Sequence, residues 1–189
     1  MKHELTILTL LIFTSSFGQK LTVTPTGLKD EKDTEKTFIV LEADGLTAKQ
    51  LFDNAKKYIT ENYKNPKEVI KGETEAEYLK FDTFVPELLR YPNGPGSGGP
   101  KIPIKASYTT EMRFKDGKVR YEIISLDMTS DDGKYRVLFS GGLLEGYIIY
   151  KKNGQLFKEG AKVDIENYFN ANINQLLNYL KGEGKMSDW

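Results

Sequence analysis

The 189-residue sequence contains no cysteine, and its single histidine is His3. Without cysteine there are no disulfides, thiol nucleophiles or thiolate metal ligands, so stability must come from packing. With no histidine beyond residue 3, Ser-His-Asp and Cys-His catalytic sets and the favoured zinc ligands are missing from the body of the chain. The chain has no excess of either charge, since 27 Lys and Arg balance 27 Asp and Glu. That neutrality supplies no overall field to draw in nucleic acid or an anionic membrane. No apolar run reaches the ~20 residues of a membrane-spanning helix. What remains, 39 % hydrophobic and 29 % charged residues, is the mix of one globular domain.

Lys2 precedes an apolar stretch from Leu5 to Phe13, followed by Thr14, Ser15, Ser16, Phe17 and Gly18. A charged start, an apolar middle and small residues three and one before a cut after Gly18 make residues 1–18 a secretory signal peptide. Cleavage would remove Lys2 and Glu4 together, keeping the charge balance, and would take His3 with them. The expected mature chain is periplasmic or extracellular, with no membrane span and no cysteine to carry a lipid.

Residues 19–36 are polar, without a sustained period, and read as an extended leader with one short strand over Leu21 to Thr24. A single domain is expected over residues 37–182, followed by a tail, 183–189. Its first strand is Phe38 to Leu41, and Thr47 is placed to cap a helix in which Leu51, Phe52, Ala55, Tyr58 and Ile59 recur at helical intervals as far as Tyr63. Lys67 to Gly72 and Glu77 to Val85 read as antiparallel strands. Pro86 to Pro103 holds five of the seven prolines and is expected to be a long Pro/Gly-rich loop excluded from any central strand.

From Ile104 to Lys115 apolar and polar residues alternate, and Asp116-Gly117 supplies a two-residue turn. The return strand buries Val119, Tyr121 and Ile123, then shifts phase to Ile124, Leu126 and Met128, which predicts a bulge near Ile123 and Ile124. In the simple register Arg113 faces Arg120 and Glu111 faces Glu122, with opposite charges on the diagonals. Lys134 to Ser140 reads as a strand and Leu143 to Leu156 as a hairpin around Asn153-Gly154. Val163, Ile165, Tyr168, Phe169, Ile173, Leu176, Leu177 and Leu180 form a helical stripe ended by Gly182. The resulting class is α+β: one antiparallel sheet with two helices on one face and an extra hairpin before the C-terminal helix.

Several motifs fail on inspection. Gly94, Gly96 and Gly99 match a dinucleotide fingerprint, but Pro95 and Pro100 interrupt it and a strand pattern follows instead of a helix. Asp127, Asp131, Asp132 and Gly133 hint at calcium, yet Met128 occupies the first ligand position of an EF-hand count. No cofactor or metal is expected, and no catalytic residue stands out. Most tyrosines and phenylalanines fall on buried phases. Tyr147, Ile148, Ile149 and Tyr150 are apolar on both faces, and Leu88, Leu89 and Tyr91 lie in a stretch read as loop. These seven are the candidate contact residues for a ligand or partner.

The stretches TFIVLEADGLTAKQLFDNAKKYITENY, EVIKGETEAEYLKFDTFV and IKASYTTEMRFKDGKVRYEIISLDM together resemble an uncharacterised family of exported Bacteroidetes proteins. That family carries a domain of unknown function with a TATA-binding-protein-like (TBP-like) fold. The resemblance implies a β-α-β4-α core and carries over no activity and no catalytic residue. The expected function is a non-catalytic module binding an unknown envelope or secreted protein. The alternative is a carrier or sensor of a small apolar ligand held between the sheet and the C-terminal helix.

Overall fold

The computed structural model describes residues 19–92, 101–142 and 146–184. The signal-peptide reading of residues 1–18, the glycine motif at 94–99 and the end of the tail lie outside the described residues. The chain begins with a hairpin of β1 (Leu21–Thr24) and β2 (Gly27–Asp30), followed by β3 (Phe38–Glu42) and α1 (Ala48–Asn62). A four-residue helix, α2 (Pro66–Val69), leads into β4 (Ile70–Thr74), β5 (Tyr78–Pro92), β6 (Lys101–Lys115) and β7 (Lys118–Ser130). A short pair, β8 (Val137–Gly141) and β9 (Tyr147–Lys151), precedes α3 (Glu159–Leu180). The central sheet is five-stranded and antiparallel in the order β3-β7-β6-β5-β4. The fold is therefore α+β with a long C-terminal helix.

Both long helices cover the same face of this sheet. The Phe52 ring of α1 meets Phe114 of β6 edge-on at 5.5 Å, and Phe169 of α3 meets Tyr108 of β6 at 5.1 Å. Leu51, Ala55 and Ile59 from α1 and Ile165, Phe169 and Leu180 from α3 are fully buried against Leu79, Ile104, Met112 and Val119. Thr47 starts α1 with a reciprocal capping box, its hydroxyl accepting from the Gln50 N–H and its own N–H donating to the Gln50 side chain. In α3, Val163 falls outside the buried stripe and is exposed, whereas Ala161 lies inside it.

The β6–β7 hairpin has the register its alternation predicts: Phe114 faces Val119, Met112 faces Tyr121 and Arg113 faces Arg120. Thr110 pairs Ile123 and Thr109 pairs Ser125, leaving Ile124 as the extra, exposed residue of a bulge. The bulge reconciles two phases: Val119, Tyr121 and Ile123 face the helices before it, Leu126 and Met128 after it.

Four expectations are corrected. The leader is not merely extended, because β1 and β2 form a docked hairpin; the Leu21 N–H donates to the Asn170 side chain of α3 at 2.9 Å and the Asn170 amide donates back to the Leu21 carbonyl at 3.0 Å. Lys67 to Val69 is helical, with Pro66 at the first helical position, where a missing N–H costs nothing. The described residues of the Pro86 to Pro103 stretch are strand, since β5 runs to Pro92 and β6 starts at Lys101. Its prolines are tolerated by position: Pro86 lies in the register shift between Val85 and Leu89, beyond the end of β4, and Pro103 lies beyond the last pairing of β6 with β7. Finally, β9 pairs parallel to β8 and does not form a hairpin around Asn153-Gly154, where a turn returns the chain for only one bridge, Tyr150 to Leu156. A strand apolar on both faces suits a parallel pair covered on both sides.

Candidate functional site

With the helices on one face, the other face of the central sheet is uncovered, and alternation decides what it presents. Cross-strand rows run over it: Tyr78–Arg113–Arg120, then Lys80–Glu111–Glu122, then Asp82–Thr109–Ser125, then Phe84–Ser107–Asp127. The first two rows are long charged side chains. Arg113 pairs with Glu111 at 2.9 Å and Arg120 with Glu122 at 2.6 Å, each along its own strand. The expected diagonal pairs do not form, because Arg120 lies over the Phe38 ring at 4.1 Å and Arg113 over the Tyr78 ring at 5.3 Å. These outer rings draw the facing arginines apart.

The next two rows are different. Ser107, Thr109 and Ser125 are short, so the surface drops into an open groove of about 600 Å³. Its walls are Lys71 and Glu68 on one side and Arg136 on the other. Across its floor Ser125 donates to Thr109 at 3.1 Å, and Thr109 donates to Asp82 Oδ1 at 2.7 Å. Lys71 Nζ stands 3.8 Å from Asp82, and Arg136 donates through Nε and Nη2 to Asp127 Oδ1 at 3.2 and 2.6 Å. Each carboxylate of the floor is thus set beside a cation, while Glu68 of the wall accepts from the Asn65 amide instead. Beside them Phe84 is 63 % exposed, the most open large apolar side chain among the described residues.

The seven predicted contact residues are elsewhere. Leu88 and Leu89 are buried residues of β5, and Ile148, Ile149 and Tyr150 are buried in β9. Tyr150 donates its hydroxyl to the Val23 carbonyl, and Phe157 and Lys158 N–H groups close on the Ile149 carbonyl. Only Tyr91 and Tyr147 keep partial exposure, and they meet each other edge-on at 4.3 Å with Tyr135 beside Tyr91 at 5.4 Å. The structure brings Tyr91 and Tyr147 together and leaves the other five as core. Phe84 carries a sequence signal: it is the apolar residue on the polar phase Tyr78, Lys80, Asp82, Phe84.

In the helix–sheet interior, the place for an apolar ligand, buried side chains of the described residues pack on one another. Phe169 packs on Tyr108 and Tyr168, and the Tyr108 and Tyr168 hydroxyls meet at 3.1 Å. The Tyr63 hydroxyl bonds Thr83 at 2.6 Å, yet burial still pushes it up to about 12. Burial likewise raises Tyr58, Tyr108 and Tyr121, so these phenols stay neutral. The acidic cluster considered for calcium is dispersed: Asp131 reaches Lys105, Asp132 accepts from Ser130 and the Lys134 N–H, and Asp127 holds Arg136. Among the described residues no group of three or more His, Cys, Asp or Glu is placed to hold a metal ion.

No family model matches the sequence, and no curated protein does. Among solved structures, a protein of the DUF4468 family from Bacteroides ovatus superposes with a TM-score of 0.50 at 15 % identity. The likeness is one of fold. It covers 77 % of this chain and 84 % of that one. No helix among the described residues is long and apolar enough to cross a membrane.

Proposed function

We propose that the chain is an exported, non-catalytic binding domain, TBP-like in arrangement, that works through the uncovered face of its central sheet. The observation carrying this reading is the groove beside Phe84, where a sheet face studded with long charged side chains opens over three short hydroxyl residues. Small-molecule and partner sites are concave, with a few polar groups converging on an apolar surface. The burial of five of the seven residues first considered for contact moves the reading from the β9 segment to this face. The DUF4468 likeness adds a fold shared with a domain of unknown function and no chemistry.

Two measurements test it. N-terminal sequencing of the protein secreted by its own host should begin at Gln19, whose side chain accepts the Val40 N–H on the edge of β3. A photo-crosslinking residue at position 84, in living cells, should form an adduct that the same residue at exposed Val163 on α3 does not. Retention of residues 1–18, or equal labelling at both positions, would overturn the reading.

A further inference from the structure

Building on the open-face reading, we infer that the groove beside Phe84 binds a neutral saccharide. The argument begins with charge. Asp82 faces Lys71 and Asp127 faces Arg136, so a strongly anionic ligand meets the carboxylates and a strongly cationic one meets the lysine and arginine. Glu68 adds a third carboxylate, held by the Asn65 amide at 3.1 Å, so an anion is repelled, a cation must take its carboxylates from Lys71 and Arg136, and a neutral ligand displaces neither pair.

Hydrogen-bonding capacity comes next. Both Arg136 bonds fall on Asp127 Oδ1, leaving Oδ2 of this groove-lining residue as an acceptor. Ser125 spends its proton on Thr109 and keeps its lone pairs, while Ser107 makes no side-chain hydrogen bond among the described residues. The floor is rich in acceptors for hydroxyl protons and has one rotatable hydroxyl that can give or take. A ligand rich in hydroxyl groups matches that inventory; an aliphatic one would strand these groups unpaired.

The third element is the ring. Phe84 stands 63 % exposed at the end of this polar floor, in the row Phe84–Ser107–Asp127. A pyranose has one face of C–H groups and a rim of hydroxyls, so it can lay the C–H face on the phenyl ring while its rim reaches Asp127 and Ser107. A peptide strand would instead seek unpaired backbone groups, which a sheet presents at its edges and not across its face. The groove volume of about 600 Å³ falls inside the range of small-ligand sites, ~300–1,000 Å³.

The test titrates the full secreted protein, labelled with ¹⁵N, with neutral oligosaccharides of glucose, xylose, mannose and N-acetylglucosamine. The expected result is saturable movement of the Ser107, Thr109 and Ser125 amides with at least one of them. Binding should weaken at least about tenfold in Phe84→Ala and survive in Phe84→Trp, which keeps an aromatic face. Phe84 is exposed, so an unchanged melting curve in both variants separates loss of the platform from loss of the fold. Saccharide binding unaffected by Phe84→Ala, or no response at about 10 mM of any sugar, overturns the inference. If sugars fail while the position-84 crosslink captures a protein, the saccharide falls and the open-face reading stands. If both fail, both fall.

Discussion

Tyr150, next to the end of β9, donates its hydroxyl to the Val23 carbonyl of β1 at 2.7 Å across 127 residues of sequence. The bond is buried and fastens the N-terminal hairpin to the β8–β9 pair. Tyr150→Phe keeps the ring and removes only this bond, so urea unfolding should show a loss of about 1 kcal/mol with an unchanged slope. No loss would mean that the hairpin is held by α3 alone.

Glu166 of α3 ties the same hairpin from the other side. Its carboxylate accepts from the Thr22 hydroxyl at 2.7 Å, from the Val23 N–H at 2.8 Å, and from Lys162. Partial burial raises its pKa, but the bonds from Lys162, Thr22 and Val23 outweigh that and hold it below the ordinary 4.5. A depressed carboxyl contributes stability that is complete above the unfolded-state value and is lost as pH falls through the folded one. Stability should therefore drop as the pH goes below 4.5, and Glu166→Gln should flatten that acid limb. Glu166→Ala at neutral pH should cost about 1.5–3 kcal/mol, the scale of hydrogen bonds to a charged group.

Gly146 precedes β9 with φ +150°, and a Cβ built there would come 2.7 Å from the Arg136 carbonyl oxygen. That carbonyl accepts the Tyr147 N–H at 2.9 Å, the first bond joining the two short strands. Gly146→Ala must push backbone aside, and amide exchange in β8 and β9 should accelerate while the central sheet keeps its protection. Uniform protection in the variant would show that the pair tolerates the shift.

Ile124 offers a sharper test of the bulge. Its deletion leaves Ile123 against Thr110 and Ser125 against Thr109, so both arms of β7 stay in phase. Deleting Leu126 instead turns Asp127 and Thr129 toward the helices and Met128 toward water, the penalty of a one-residue slip. Thermal melts should find the first deletion folded, at a cost below about 3 kcal/mol, and the second unfolded.

Local rules account for most of the central sheet. The β6–β7 hairpin could be read because its period-two alternation and the Asp116-Gly117 turn agree, and the bulge because the phase of the apolar residues changes once. Pairing that depends on distant partners could not be read. β1 reads as a short strand from Leu21 to Thr24, but β2 and the docking of the hairpin are hidden in polar leader until Asn170 and Glu166 of α3 supply partners. The prolines at 86 and 103 appear to forbid strands only until the sheet shows that both stand past the end of a neighbour. The candidate groove lies between these cases: Phe84 breaks its own polar phase in the sequence, whereas Arg136 joins the site only through the chain's return to β7 at Thr129.

The docking of the first strand on the last helix also sets an order of events in time. A chain emerging N-terminus first presents Leu21 and Val23 before α3 exists, and the bond from Leu21 to Asn170 spans 149 residues. Closing so long a loop follows the local pairing of β4 to β7, so the N-terminal hairpin can dock only once α3 is free. A protein built this way ties its two ends together like a purse string drawn only after the last stitch, and a truncation that removes α3 also unfastens the beginning.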